Sequence, residues 1–89
     1  MLKITKTQES ASDVLLMLEG KITEQWAALL DGECRSYLRK RKAVYLDCSH
    51  VEYIDARGVE VVNNLPQKHV TVLSAPAFVQ ELLQIGGRS

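Results

Sequence analysis

Leu2 and Ile4 alternate with Lys3 and Lys6, the period of two that marks a short strand with one buried face. Gln8 to Asp13 is polar or small throughout and reads as a hairpin connection. Val14-Leu15-Leu16-Met17-Leu18 is continuously apolar, as expected of a strand inside a sheet or covered on both faces, and Gly20 is expected to end it. From Thr23 the period lengthens. Trp26, Leu29, Leu30, Cys34, Tyr37 and Leu38 fall on one stripe while Glu24, Gln25, Asp31, Glu33 and Arg35 lie off it, which predicts a long amphipathic helix with Trp26 in the core. Thr23 suits its N-cap, and Glu24 in the first turn and Arg39-Lys40-Arg41-Lys42 in the last suit the helix dipole. Gly32 inside this helix costs about 1 kcal/mol.

Ala43 to Cys48 reads as the third strand, with Ser49 in the turn that follows and His50 in a loop. Asp55 stands where an N-cap is expected, because Val59, Val62 and Leu65 follow at helical spacing and Pro66 closes the helix that starts at Ala56. His69 to Leu73 forms the fourth strand. Pro76 suits a first helical position, and Phe78, Val79, Leu82, Leu83 and Ile85 make a last apolar stripe closed by Gly86-Gly87. The order is β-β-α-β-α-β-α. Strand-helix-strand units imply parallel pairing of the later strands, so the expected class is α/β: a small mixed sheet of about four strands with helices packed on it.

The run Val44-Tyr45-Leu46-Asp47, then Val51, then Tyr53-Ile54-Asp55-Ala56-Arg57-Gly58-Val59 resembles the signature of the STAS family, shared by bacterial anti-sigma factor antagonists and sulfate transporter tails. In that family an Asp-Ser-Ser-Gly-Leu-like segment opens the helix, and its first serine is commonly a phosphorylation switch. Asp55 and Gly58 match, but the switch position is Ala56 and the next is Arg57, so phosphorylation there does not carry over. A second landmark, Leu-x-Gly-x-Leu-Asp, corresponds to Leu18-Glu19-Gly20-Lys21-Ile22-Thr23, with the acidic residue replaced by Thr23. The resemblance spans about Leu15 to Ile85 and implies a STAS-like domain over residues 1–89, shortened at the C-terminus.

What the resemblance implies about function is a non-catalytic regulatory module like an anti-sigma factor antagonist. It would dock through Thr23, Asp55, Ala56, Arg57, Gly58 and Val59 on an anti-sigma factor or a GHKL-type serine kinase. In relatives the unphosphorylated switch helix binds the kinase and a phosphate releases it; with Ala56 this chain would be locked in the bound form or serve a complex that never used the switch. Two other memberships follow from the same family: a small cytosolic subunit of an ABC-type lipid transport assembly, held by the transporter ATPase, and a scaffold in a multi-STAS signalling complex. Relatives usually continue with a further strand and helix, so a sheet edge or face is expected to be open for self-association or a partner.

Composition narrows the alternatives. A chain of 89 residues forms one small domain, and 46% hydrophobic with 25% charged residues places it among ordinary soluble globular proteins. Eleven basic and eleven acidic side chains cancel, so no overall field steers it to nucleic acid or anionic lipid. No apolar run is long enough for a signal peptide or a membrane span, and a cytosolic location is expected. Cys34 and Cys48 are too few and too distant for zinc and read as reduced, packed thiols.

No catalytic, cofactor or metal site is expected. His50 and His69, set beside Asp47, Asp55 and Cys48, offer no nucleophile-plus-base spacing, and there is no glycine-rich phosphate loop or metal-ligand cluster. Arg39-Lys40-Arg41-Lys42 reads as a solvated helix end rather than a nucleic-acid or lipid contact. Arg57 is less ordinary. A cation in the first helical turn opposes the dipole at a cost of a few tenths of a kcal/mol, and with the amides after Asp55 it would make an anion-binding spot for a carboxylate or phosphate. Thr23 and Ser49 are left as alternative phosphoacceptors.

Overall fold

The computed structural model describes residues 1–83. Its elements are β1 (Leu2–Glu9), β2 (Asp13–Ile22), α1 (Glu24–Arg39), β3 (Ala43–Ile54), α2 (Ala56–Asn63), β4 (Val70–Ser74) and α3 (Ala77–Leu82). This is the predicted order. The sheet runs β1-β2-β3-β4, with β1 antiparallel to β2 and the β2/β3 and β3/β4 pairs parallel. Both crossovers step the same way across the sheet, and right-handed crossovers that do so leave both helices on one face. Accordingly α1 packs against α2, β2 and β3.

Pleating and register build the core between helices and sheet. Val14, Leu16 and Leu18 alternate into it from β2. Val44 and Leu46 lie beside Val14 and Leu16 in the parallel register, and Val70 lies beside Val44. All of these are buried, together with Ala27, Leu30 and Cys34 of α1 and Val61, Val62 and Leu65 of the α2 region. Leu15, Met17 and Tyr45 on the opposite face are only half-buried, so it is the inner position of β2, rather than full cover on both faces, that goes with its apolar run.

Several boundaries differ from the sequence reading, each for a local reason. Gly20 does not end β2. The chain passes it at φ +103° so that the Lys21 amide reaches the Met1 carbonyl at 2.8 Å, and a Cβ at Gly20 would lie 2.4 Å from that oxygen. β3 continues to Ile54 through two register shifts: Met17 pairs with Asp47 and Glu19 with His50, so two residues of β3 oppose Leu18 alone, and Gly20 pairs with Val51 and Lys21 with Tyr53, so Glu52 is left over. The first shift, a bulge, breaks the period of two at Ser49, which places Ser49 and His50 within a strand rather than in a turn and a loop. His69 precedes β4, and its carbonyl accepts the Val44 amide at 2.8 Å.

The helices show similar shifts. Leu29 is 47% exposed, while Ala27 is fully buried and Trp26 half-buried against the core; α1 is rolled so that Ala27 rather than Leu29 faces the core. Its C-terminus is closed by backbone rather than by cations. The Arg41 amide bonds the Leu38 carbonyl at 2.9 Å and the Lys42 amide the Tyr37 carbonyl at 3.2 Å, with Arg41 left-handed at φ 63°. Lys42 turns away to Glu9 at 2.5 Å and the Ser10 carbonyl at 2.7 Å. In α3, Pro76 is the N-cap, and Phe78 and Leu82 are exposed while Val79 is buried. Ile85 and Gly86-Gly87 lie outside the described residues.

Two measurements check this account. A Cβ at Gly32 would meet nothing within 4 Å, so Gly32→Ala is expected to stabilise the protein by about 1 kcal/mol in urea unfolding. Glu9 accepts from both Lys6 and Lys42, and these hydrogen bonds hold its carboxyl down at about 2, below the ordinary 4.5. A lowered folded-state pKa contributes stability that is present above the unfolded value and fades as pH falls toward the folded one. The gap in melting temperature between wild type and Glu9→Gln is therefore expected to close between about pH 5 and pH 2.

Candidate functional site

The parallel strands deliver two helix starts to the same end of the sheet, and Asp55 joins them. As N-cap of α2 it accepts the Gly58 amide on Oδ1 at 2.7 Å, and Oδ2 accepts the amide of Glu24, the first residue of α1, at 3.2 Å. Its own amide donates to the Ile22 carbonyl at 3.2 Å, and its carbonyl accepts the Val59 amide at 2.9 Å. Glu24 has φ 46°, a left-handed backbone that costs a side-chain-bearing residue on the order of 1 kcal/mol and is held by the bond to Asp55. The Thr23 hydroxyl makes no capping bond. Thr23 contributes its carbonyl, which accepts the Trp26 and Ala27 amides at 2.8 and 3.3 Å.

Gly58 lies where α2 presses on the sheet. A Cβ there would stand 2.4 Å from the Ile22 carbonyl oxygen and 2.7 Å from Ile54 Cγ1, so a larger residue would push the helix start off the strand ends. The structure thus brings together the residues singled out in the sequence and divides their roles. Gly58 is buried, Thr23, Asp55 and Val59 are half-buried, and Ala56 and Arg57 are exposed. With the Gly58 amide already taken by Asp55, one of the amides assigned to an anion-binding spot is occupied.

Tyr53 was missed by the sequence reading. It is 52% exposed, lies two residues before Asp55 and pairs with Lys21 in the β2/β3 register. Extended past Cys48, the alternation of Val44, Leu46 and Cys48 puts Tyr53 on the outward face, but the strand was read as ending at Cys48, so no face was assigned to it. Exposed tyrosine and arginine are the residue types enriched at the cores of protein interfaces, and here both flank the Asp55 turn.

The polar residues on the bulge do not assemble a nucleophile. Ser49 donates its hydroxyl to Asp47 Oδ1 at 2.7 Å and its amide to the same oxygen at 3.0 Å, and His50 Nδ1 lies 3.1 Å from the hydroxyl. The serine stands between acid and histidine, whereas base catalysis needs the histidine between acid and serine. These bonds from Ser49 hold the Asp47 carboxyl below its ordinary range. Cys34 and Cys48 are free and buried, and burial pushes both thiols up to about 12. Among the described residues no group of three or more His, Cys, Asp or Glu side chains is placed to hold a metal ion.

Replacing Asp55 tests the joint directly. Asp55→Ala removes a cap and strands a second amide, and is expected to cost about 2–3 kcal/mol in urea unfolding. Asp55→Asn keeps one acceptor oxygen and is expected to cost about 1 kcal/mol.

Among curated proteins none matches this chain. Of solved structures, that of the anti-sigma factor antagonist SpoIIAA in its unphosphorylated form superposes with a TM-score of 0.74 over 94% of this chain and 84% of that one. The two sequences are 11% identical, so this likeness establishes the fold. Residues 5–88 match the family model described as "Mlab, STAS domain", and the chain belongs to the STAS domain family.

Proposed function

We propose that this chain acts as a non-catalytic regulatory module, a single domain over residues 1–89, that binds a protein partner in the cytosol through the end of the sheet where α1 and α2 begin. The observation that carries this reading is the Asp55 joint: one carboxylate braces both helix starts and leaves Ala56 and Arg57 exposed on a rigid turn beside Tyr53. A surface fixed before binding loses little conformational entropy on docking. Thr23, Asp55, Gly58 and Val59 shape the surface, and Ala56, Arg57 and Tyr53 make the contact.

The partner class is an anti-sigma factor or GHKL-type serine kinase, the reading supported by family membership and by the likeness to an anti-sigma factor antagonist. A phosphate would add close to two negative charges at this turn, next to the Asp55 carboxylate, and expel a packed partner. Ala56 has no hydroxyl to carry one, so the complex formed here is not released by phosphorylation at that position. That same absence favours a second reading, a subunit held permanently by a transporter ATPase.

An affinity pull-down from the native cytosol tests both, comparing wild type with the Ala56→Glu, Arg57→Glu double variant. The expected result is a partner retained by wild type and lost by the variant, with the variant's circular dichroism unchanged. A kinase or anti-sigma factor in that fraction supports the first reading and a transporter ATPase the second. Identical partners for both proteins would place the interface elsewhere.

A further inference from the structure

The zero net charge of the chain conceals a cluster of cations at one end of the sheet. Because β2, β3 and β4 are parallel, their N-terminal ends share one side, where the α1–β3 connection brings Arg39, Lys40, Arg41 and Lys42 and the α2–β4 connection brings Lys68. The two connections are adjacent, since the Val44 amide bonds the His69 carbonyl at 2.8 Å. The acids at this end are Glu9 and Asp13. Glu9 is consumed by Lys6 and Lys42, and Asp13 accepts the Ser10 hydroxyl at 2.9 Å. Arg39, Lys40, Arg41 and Lys68 are exposed and, among the described residues, none of them bonds an acidic side chain.

Arg41 adds a second, independent observation. It occupies the left-handed position that closes α1, at φ 63°, where glycine is the residue without steric cost. The helix dipole does not require it, because Arg39 already lies in the last turn. A cation is therefore kept at this end at the expense of local stability, which is the kind of departure that marks a functional surface.

We infer that this end, through Arg39, Lys40, Arg41 and Lys68, adsorbs the protein on an anionic phospholipid bilayer surface. The end favours a charged plane over other anions. This end offers little to stack on bases: Tyr37 is half-buried and lies 5.6 Å from Lys40 Nζ, and the exposed ring on the connections is the single imidazole of His69. No large apolar side chain is exposed on the connections, so contact is electrostatic and peripheral, without insertion. The end lies opposite the Asp55 turn, and a protein held by its cations still presents Tyr53 and Arg57 to a partner.

Co-sedimentation with phosphatidylcholine vesicles, with and without about a third phosphatidylglycerol, tests this at low ionic strength. Wild type is expected to partition onto the anionic vesicles only, with binding lost on raising salt. Each cation removed is expected to lower the partition coefficient about fivefold, so Arg39→Gln, Lys40→Gln, Arg41→Gln together lower it on the order of a hundredfold. Arg41→Gly separates binding from folding, because it is expected to raise the melting temperature while weakening adsorption about fivefold. Lys3→Gln, a matched loss of charge at the other end, is expected to leave adsorption unchanged. No binding to anionic vesicles, equal binding by the triple variant, or retention of duplex DNA in place of vesicles would overturn the proposal.

Discussion

The sharing of one carboxylate between two helix starts is the constraint on which this end of the molecule depends. Asp55 lies 31 residues beyond Glu24, yet its Oδ2 fixes the first amide of α1 while Oδ1 fixes the first turn of α2. Three departures follow from that one arrangement. Glu24 is held left-handed, Thr23 caps α1 through its carbonyl and not its hydroxyl, and Gly58 must be without a side chain so that α2 can descend onto Ile22 and Ile54. Each of these residues alone would look like a local irregularity. Together they are the cost of bringing two helices to a common origin, and the exposed Ala56-Arg57 step is what that origin displays.

How much of this was legible depended on whether the responsible force acts along the chain or across it. The element order was readable because period two and period 3.6 are local properties, as Val44-Leu46 and Leu30-Cys34 show. The N-cap at Asp55 was readable for the same reason. Its second bond was not, because nothing near Glu24 announces an acceptor in another loop. The bulge at Ser49 is set by register against β2, so the alternation that identified Ala43 to Cys48 stopped there while the strand did not. Leu29 left the expected stripe and Ala27, to which the sequence reading gave no place, entered the core for a related reason: a hydrophobic stripe locates a helix face only to within a side chain.

Charge followed the same rule. Composition sums over the whole chain and erases direction, whereas parallel strands collect connections of like position at one end. The run Arg39 to Lys42 was visible as a run, but the withdrawal of Lys42 by Glu9 and the arrival of Lys68 beside it are properties of topology. A protein with no net charge can in this way present a cationic end and a partner-binding end that face apart.

The two cysteines carry a consequence of a different kind. Cys34 on α1 and Cys48 on β3 are at most 1% exposed, on the two layers that the core joins, and neither is bonded to the other. A thiol reagent cannot reach either sulfur until helix and sheet separate. Their modification under native conditions therefore times the parting of the two layers, one thiol reading the helix and the other the strand, and the molecule carries its own clock for local opening.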